Sequence, residues 1–406
     1  MCIDFRDLNR LIIPESHPFP RIDDIIVRAR DCAFFTTFDI NSAFWSIPIR
    51  IKDRHKTAFV TQQNHYHWKN LPFGLKTASA IFQHIFSGII RRHNLSAFCC
   101  NYIDDILIFS KSFSEHLQHI ELVLQAIITE GFKLKFIKCN FAAASVKYLG
   151  HILSKNCIRP LSDNLIAIKN FPTPSSRKHI RQFLGKINFY HKFIPNSANL
   201  LDVFHNLLRK DVPFAWSTEC QQVFKQLKTY LISSPILAIF NPDLPITIYT
   251  DASGEGIGAI LKQPQADGVE KPIAYFSKKL NDTQKCKKAI YLESYAIYEA
   301  VKYWRFWLLG RHFLVVTDHK PLANLNLKSR TDEELGDIAN FLLQYDFDVV
   351  YRPGSANAEA DCLSRNPFLK PTLFLLHSLN TVSISCPLQK SWNLSLVFHI
   401  PPLIFS

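Results

Sequence analysis

The chain has 406 residues, 47% hydrophobic and 13% aromatic, too long for one ordinary core and too apolar for a disordered protein, so two or three packed domains are expected. Lys and Arg number 47 against 34 Asp and Glu, a net charge of +13, which favours a polyanionic partner such as nucleic acid over an acidic small molecule. The charged N-terminus Met-Cys-Ile-Asp-Phe-Arg-Asp lacks a signal-peptide core and no apolar run approaches a bilayer span. The ten scattered Cys fit neither a disulfide nor a zinc framework, so an intracellular protein with no membrane partner is expected.

In chain order, "AFFTTFDI" and "FWSIPIRI" read as strands and "ASAIFQHIFSGII" and "HLQHIELVLQAIITEGF" as helices, the second capped by Gly131. His65 and His67 fall on a strand with no metal-like spacing and read as ordinary polar positions. Within "NYIDDILIFS", Asp104 and Asp105 sit between two short apolar strands, at the tip of a hairpin turning at Ile103-Asp104-Asp105. A lone Asp-Asp pair is more often a turn device than a site. Residues 156–242 turn helical, with "SRKHIRQFLGKINFYHKFI" and "STECQQVFKQLKTYLISS", the latter starting at a Ser217 cap. From 243 a second α/β pattern opens with the hairpin "ITIYTDASGEGIGAILKQ". It continues through the strand "KPIAYFSKKL", the helix "YLESYAIYEAVKYWRFWLL" and the strand "FLVVTDH". The stretch from Phe368 to Ser406 carries Lys370 and Lys390 as its only charges and has no assignable period.

Asp39 ends the strand "FFTTFD", and if that strand neighbours the hairpin, three carboxylates converge. Such a cluster repels itself unless cations occupy it, and paired magnesium ions are the usual answer where phosphoryl groups react. The ordered motifs "FDINSAF", "LPFGLKTASAIFQ", "YIDDILIFS" and "YLGHIL" resemble the reverse transcriptases of gypsy/Ty3-type long-terminal-repeat retrotransposons. "TDASGEGIGA", "LESYAI", "TDHKPL" and "NAEADCLSR" resemble the RNase H domain of the same elements.

The resemblance implies a right-hand palm, fingers and thumb polymerase followed by an RNase H-like mixed sheet. It implies partial fingers and palm over 1–155, a helical thumb or connection over 156–242, RNase H over 243–366, and an unassigned tail over 367–406. By the same resemblance Asp39, Asp104 and Asp105 hold two Mg²⁺, with Mn²⁺ as a substitute, and Ile40, Phe44 and Phe73 form the nucleotide pocket. Tyr148, Leu149 and Gly150 grip the primer end, and Asp251, Glu293, Asp318 and Asp361 hold two further ions that let water attack the RNA of an RNA:DNA hybrid. Glu299 is expected to be a solvated or paired surface acid.

Arg177, Lys178, Arg181, Lys186 and Lys192, interleaved with aromatics and free of acidic neighbours from Phe171 to Leu201, are expected to contact phosphates without reading bases. The partners implied are RNA template, DNA primer, RNA:DNA hybrid and dNTPs, in the nucleus or a cytoplasmic particle. Relatives carry basic strands ahead of "CIDFRDLN", so a chain beginning there is expected to polymerise weakly or not at all. The alternatives are a hydrolase working through RNase H alone, or a nucleic-acid-binding remnant.

Overall fold

The computed structural model describes residues 3–14, 17–233, 236–265, 268–323 and 335–353. The chain opens with the short helices α1 (Arg6–Leu11) and α2 (Ile22–Arg28), then strand β1 (Phe34–Asp39), and the two-residue strands β2 (Phe59–Val60) and β3 (His65–Tyr66). Helix α3 (Ala78–Arg92), the hairpin β4 (Cys99–Tyr102) and β5 (Asp105–Ser110), helix α4 (Phe113–Thr129) and strand β6 (Asn140–Ala143) complete a sheet of order β4-β5-β1-β6. One face of that sheet packs α3 and α4 through Phe82, Phe86, Ile106, Ile108 and Val123. Helix α4 starts at a capping box, Ser112 with Glu115, that supplies partners for backbone N–H groups at its first turn.

The segment "FWSIPIRI" is not a strand. Residues Ala43–Ser46 form a 3-10 turn and Ile51–Thr57 another, with one isolated bridge from Pro48 to Asn70 between them. Pro48 has no N–H to give a ladder, and the turn sends Phe44 inward against Phe82. The hairpin turn is also shorter than expected: Asp105 is the first residue of β5, paired with Tyr102, leaving Ile103 and Asp104 alone in the loop.

A second sheet follows, from β7 (Ser145–Tyr148), β8 (His151–Ser154), β9 (Cys157–Pro160) and β10 (Leu237–Ala238), in the order β10-β9-β8-β7. Between β9 and β10 lie the helices α5 (Ser162–Lys169), α6 (Arg177–Asn188), α7 (Ser197–Leu208) and α8 (Thr218–Ile232). Helix α6 stops at Asn188, short of the periodic run: Tyr190 and Phe193 turn into the core through a 3-10 turn ahead of Pro195. These helices and the second sheet share one apolar core with the far face of the palm sheet, Phe35, Cys100 and Leu107 included.

The C-terminal unit is a five-stranded sheet of order β13-β12-β11-β14-β15, from β11 (Thr247–Ala252), β12 (Gly256–Pro264), β13 (Glu270–Lys279), β14 (His312–Thr317) and β15 (Asp346–Tyr351). The first three strands are antiparallel, and β14 and β15 run parallel to β11. A parallel neighbour needs a crossover. It is supplied by α9 (Asp282–Lys285), α10 (Ala289–Tyr303) and α11 (Arg305–Leu308), with α12 (Lys320–Ala323) and α13 (Gly336–Leu342) between β14 and β15. Helix α10 buries Leu292, Ala296, Ile297, Ala300 and Val301 against the sheet.

Candidate active sites

Antiparallel pairing puts Asp39 directly opposite Asp105, so both carboxylates leave the same face at one end of the palm sheet. Asp104 stands beside them on the two-residue turn, where Ile103 holds a left-handed φ of 54°. A β-branched residue in that region is strained, and strain of this kind persists only where the surroundings enforce it. Gln83 of α3 does so: its Oε1 accepts from the Ile103 N–H at 2.7 Å, while its Nε2 donates to Ser87 Oγ at 3.0 Å. Sequence reasoning missed Gln83, although it closes the motif "LPFGLKTASAIFQ".

The Asp105 carboxyl is pushed up to about 6, by desolvation first and then by the charges of Asp104 and Asp39, with Lys138 opposing the shift. Lys138, from the turn after α4, donates to Asp39 Oδ2 at 3.0 Å, and that hydrogen bond raises the lysine above its ordinary range. The chain thus supplies one internal cation to the acidic end of the palm. Nothing in the periodicity around "FIKCNF" pointed to it.

Beside the acids, Ile40 is buried and bridges to Leu134. Phe44 is half-buried, with its ring edge-on to Phe73 at 5.4 Å and to Phe82 at 5.9 Å. Phe73 projects into solvent, 56% exposed. The two rings therefore form one wall, anchored by Phe82 and open at Phe73.

Tyr148, Leu149 and Gly150 form the turn of the β7–β8 hairpin, with Leu149 at φ 44° and Gly150 at φ 76°. Tyr148 is buried and its hydroxyl donates to the Asp105 carbonyl at 3.3 Å. Gly150 lies against the Phe189 ring, where an added Cβ would come within 2.8 Å, and its carbonyl accepts from Tyr190 Oη at 2.7 Å. The turn is tied at one end to the acid hairpin and at the other to the helical segment.

The basic residues divide. Lys178, Arg181 and Lys186 lie with Gln182, Gly185 and Phe189 on one exposed stripe of α6 and the turn after it, at helical spacing. Arg177 instead donates to the carbonyls of Leu207 and Val212, and Lys192, mostly buried, pairs with Asp23 at 2.8 Å. Those two cations hold the chain together and do not belong to the stripe.

In the C-terminal unit Asp251 lies near the end of β11, Glu293 in the second turn of α10 and Asp318 just past β14. Their ligand oxygens lie within 4.8 Å of one another, the one such group of three or more among the described residues. Asp251 and Glu293 are buried. Glu293 Oε1 accepts from the Ala252 N–H at 3.2 Å, while its Oε2 is buried without a hydrogen-bond partner. Burial first, then Asp251 and Asp318, push this carboxyl up to about 9.

An all-oxygen, three-carboxylate set with an unsatisfied buried oxygen fits a hard divalent cation. Asp361 lies outside the described residues. Glu299, on the same helix, is paired with Lys278 at 2.7 Å as expected. All seven cysteines among the described residues are free thiols, and no described helix is long and apolar enough to cross a membrane.

Comparison with known proteins matches both halves. Residues 1–153 match the family described as "Reverse transcriptase (RNA-dependent DNA polymerase)", and residues 216–315 the "RNase H-like domain found in reverse transcriptase". The chain is 34% identical over 369 residues to the Transposon Tf2-3 polyprotein of Schizosaccharomyces pombe, covering 90% of this chain and 28% of the relative. It is 37% identical over 364 residues to the Retrovirus-related Pol polyprotein from transposon 297 of Drosophila melanogaster, covering 89% and 34%. The chain therefore spans about a third of the length of the curated relatives it matches.

Among solved structures, the foamy viral protease-reverse transcriptase dRH in complex with double-stranded DNA superposes with a TM-score of 0.76 at 21% identity, over 86% of this chain and 62% of that one. The foamy viral protease-reverse transcriptase in complex with RNA/DNA hybrid does so at 0.72 and 20%, over 86% and 48%. These two share the fold, a palm and thumb with a mixed sheet beyond. The chain thus carries a match to the reverse transcriptase family followed by a match to its RNase H-like domain, and over nine-tenths of its length it is similar to retrotransposon Pol polyproteins of the gypsy/Ty3 type.

Proposed function

We propose that this chain is an RNA-directed DNA polymerase joined to a ribonuclease H, copying RNA into DNA and cleaving the RNA of the resulting hybrid. The observation that carries the reading is the presence of two separate carboxylate sites on one chain, Asp39 with Asp104 and Asp105, and Asp251 with Glu293 and Asp318, each at the end of a sheet. These carboxylates would hold divalent cations, which would supply charge neutralisation at phosphate and a more acidic attacking oxygen, a primer hydroxyl at the first site and water at the second.

The chain's own residues do the positioning. Gln83 and Ile103 hold the acid hairpin rigid, and Tyr148 fixes the primer turn to Asp105. Phe44 and Phe73 wall the nucleotide pocket. Asp361 completes the second acid set by its motif. The exposed α6 stripe supplies the duplex contact: Lys178, Arg181 and Lys186 face phosphates, and Gly185, with open space around its missing Cβ, lets the backbone of the duplex come close. The partners are an RNA template, a DNA primer, the hybrid between them and dNTPs, and complexes of the foamy viral enzyme with double-stranded DNA and RNA/DNA hybrid support this choice. The working divisions are fingers and palm over 1–155, thumb over 156–242 and RNase H over 243–366.

A ribonuclease acting alone is the second reading, favoured by the tighter convergence of acids in the C-terminal unit. One gel decides between them, with purified protein, Mg²⁺, dNTPs and a labelled RNA template annealed to a DNA primer. Extension and RNA cleavage in the same lanes support two activities; cleavage alone supports the second reading. Asp104→Asn should abolish extension and spare cleavage, and Glu293→Gln should do the reverse. Loss of both signals from either substitution would overturn the two-site assignment.

A further inference from the structure

Helix α1 buries none of its six residues, so it is not a core element. Among the described residues, its side-chain hydrogen bonds to distant parts of the chain all come from Asn9. The Asn9 Nδ2 donates to the Gly74 carbonyl at 2.8 Å, and its Oδ1 accepts from the Lys76 N–H at 2.9 Å. That carbonyl and that N–H flank Leu75. A primary amide carries both a donor and an acceptor, so one side chain closes on both, and only one orientation of the amide satisfies the two partners.

The clamped loop carries Phe73. On its upstream side Asn70 Nδ2 donates to the Trp45 carbonyl at 2.6 Å, and the Leu71 N–H to the Ile47 carbonyl at 2.8 Å. On its downstream side Gly74 turns at φ 94°, with the ring of the buried Phe5 lying 3.5 Å from where a Cβ would stand. Glycine enters such a conformation readily and leaves it as readily, so the turn needs an outside hold. Asn9 supplies it at the glycine carbonyl. The Phe73 ring, edge-on to Phe44 at 5.4 Å and to Trp45 at 5.5 Å, thus stands on a backbone tied on both sides.

We propose that Asn9 is a positioning residue for the incoming dNTP: it fixes the Gly74 turn and, through that turn, the placement of Phe73. The proposal rests on the reading of Phe44 and Phe73 as the wall of the nucleotide pocket. Asn9 sits on the far side of the loop from that wall, so its loss costs nucleotide affinity and spares the chemical step.

The test is steady-state primer extension by the full chain across a dNTP series. Asn9→Leu keeps the size and removes donor and acceptor. Asn9→Asp keeps the size and the acceptor but sets a second oxygen against the Gly74 carbonyl. Both should raise KM for dNTP by about tenfold with kcat within about twofold, and RNA cleavage should be unchanged. Phe73→Ala should raise KM as well, and adding Asn9→Leu to it should raise KM little further, because the ring being placed is already gone. Full additivity of the two substitutions, or an equal fall in extension and cleavage, would overturn the proposal.

A second readout needs no polymerase activity. Fluorophenylalanine introduced at position 73 gives a single fluorine NMR resonance, which Asn9→Leu should shift or broaden. An unchanged resonance would overturn the proposal. A shifted resonance in a chain that extends no primer would keep the clamp on Phe73 and remove the polymerase reading instead.

Discussion

Gln83 has no acid–base chemistry, yet it holds the turn on which Asp104 and Asp105 stand. Gln83→Leu keeps the size and leaves the Ile103 N–H without its partner, at a cost of about 1–3 kcal/mol in stability. Primer extension should fall at least tenfold while RNA cleavage is unchanged; equal loss of both would show that the effect is only on folding. A second buried residue makes a pH statement. His116 is fully buried between Thr36 Oγ1 at 2.8 Å and Ser110 Oγ at 2.7 Å, and burial pushes its imidazole down to about 4 from 6.5. Between those values the unfolded chain binds the proton and the native chain does not, so stability falls as pH drops through that window, by up to about 3 kcal/mol. Denaturant titrations from pH 7 to pH 4 should show this slope, and His116→Asn should reduce it. His151, buried and also lowered to about 4, accounts for a share that survives that substitution.

Helix α6 shows what an element can carry beyond its composition. Its apolar residues Ile180, Phe183, Leu184 and Ile187 face the core, so its cations are sorted by geometry. Arg181→Ala with Lys186→Ala should weaken hybrid binding at low salt and flatten the salt dependence by about two ion contacts, whereas Lys178 alone would shift it by about one. Filter binding across a salt series reads this directly, and an unchanged slope would remove the stripe from the duplex contact. Long periodic elements such as α3, α4 and α8 were legible in the sequence because each buries one continuous face. The sheet β7–β10 was not: its strands have two to four residues, too few to show alternation, and β10 pairs across some 80 residues of intervening chain. "FWSIPIRI" misled because an alternating pattern does not report that Pro48 breaks the ladder.

At the scale of the molecule, the two acid sets were legible because each acid sits within a motif whose order survives. What was not legible is which distant segments meet beside the acids: Lys138 with Asp39 and Gln83 with Ile103 are tertiary pairings between segments with no shared local pattern. The strand pairing of β10 with β9 carries the last consequence. The helices of the thumb form an insertion between two neighbouring strands, not an appendage after them. A polypeptide ending at residue 155 would therefore present β8 as a bare apolar edge and lose the helices that cover Leu153 and Val146. Such a fragment should be insoluble when expressed alone, while one ending near residue 240 keeps the whole sheet and should be recovered as a folded, monodisperse species by size exclusion. A cut after Phe240 keeps the β7–β10 sheet whole while stripping Ala238 and Phe240 of the C-terminal core that they also join.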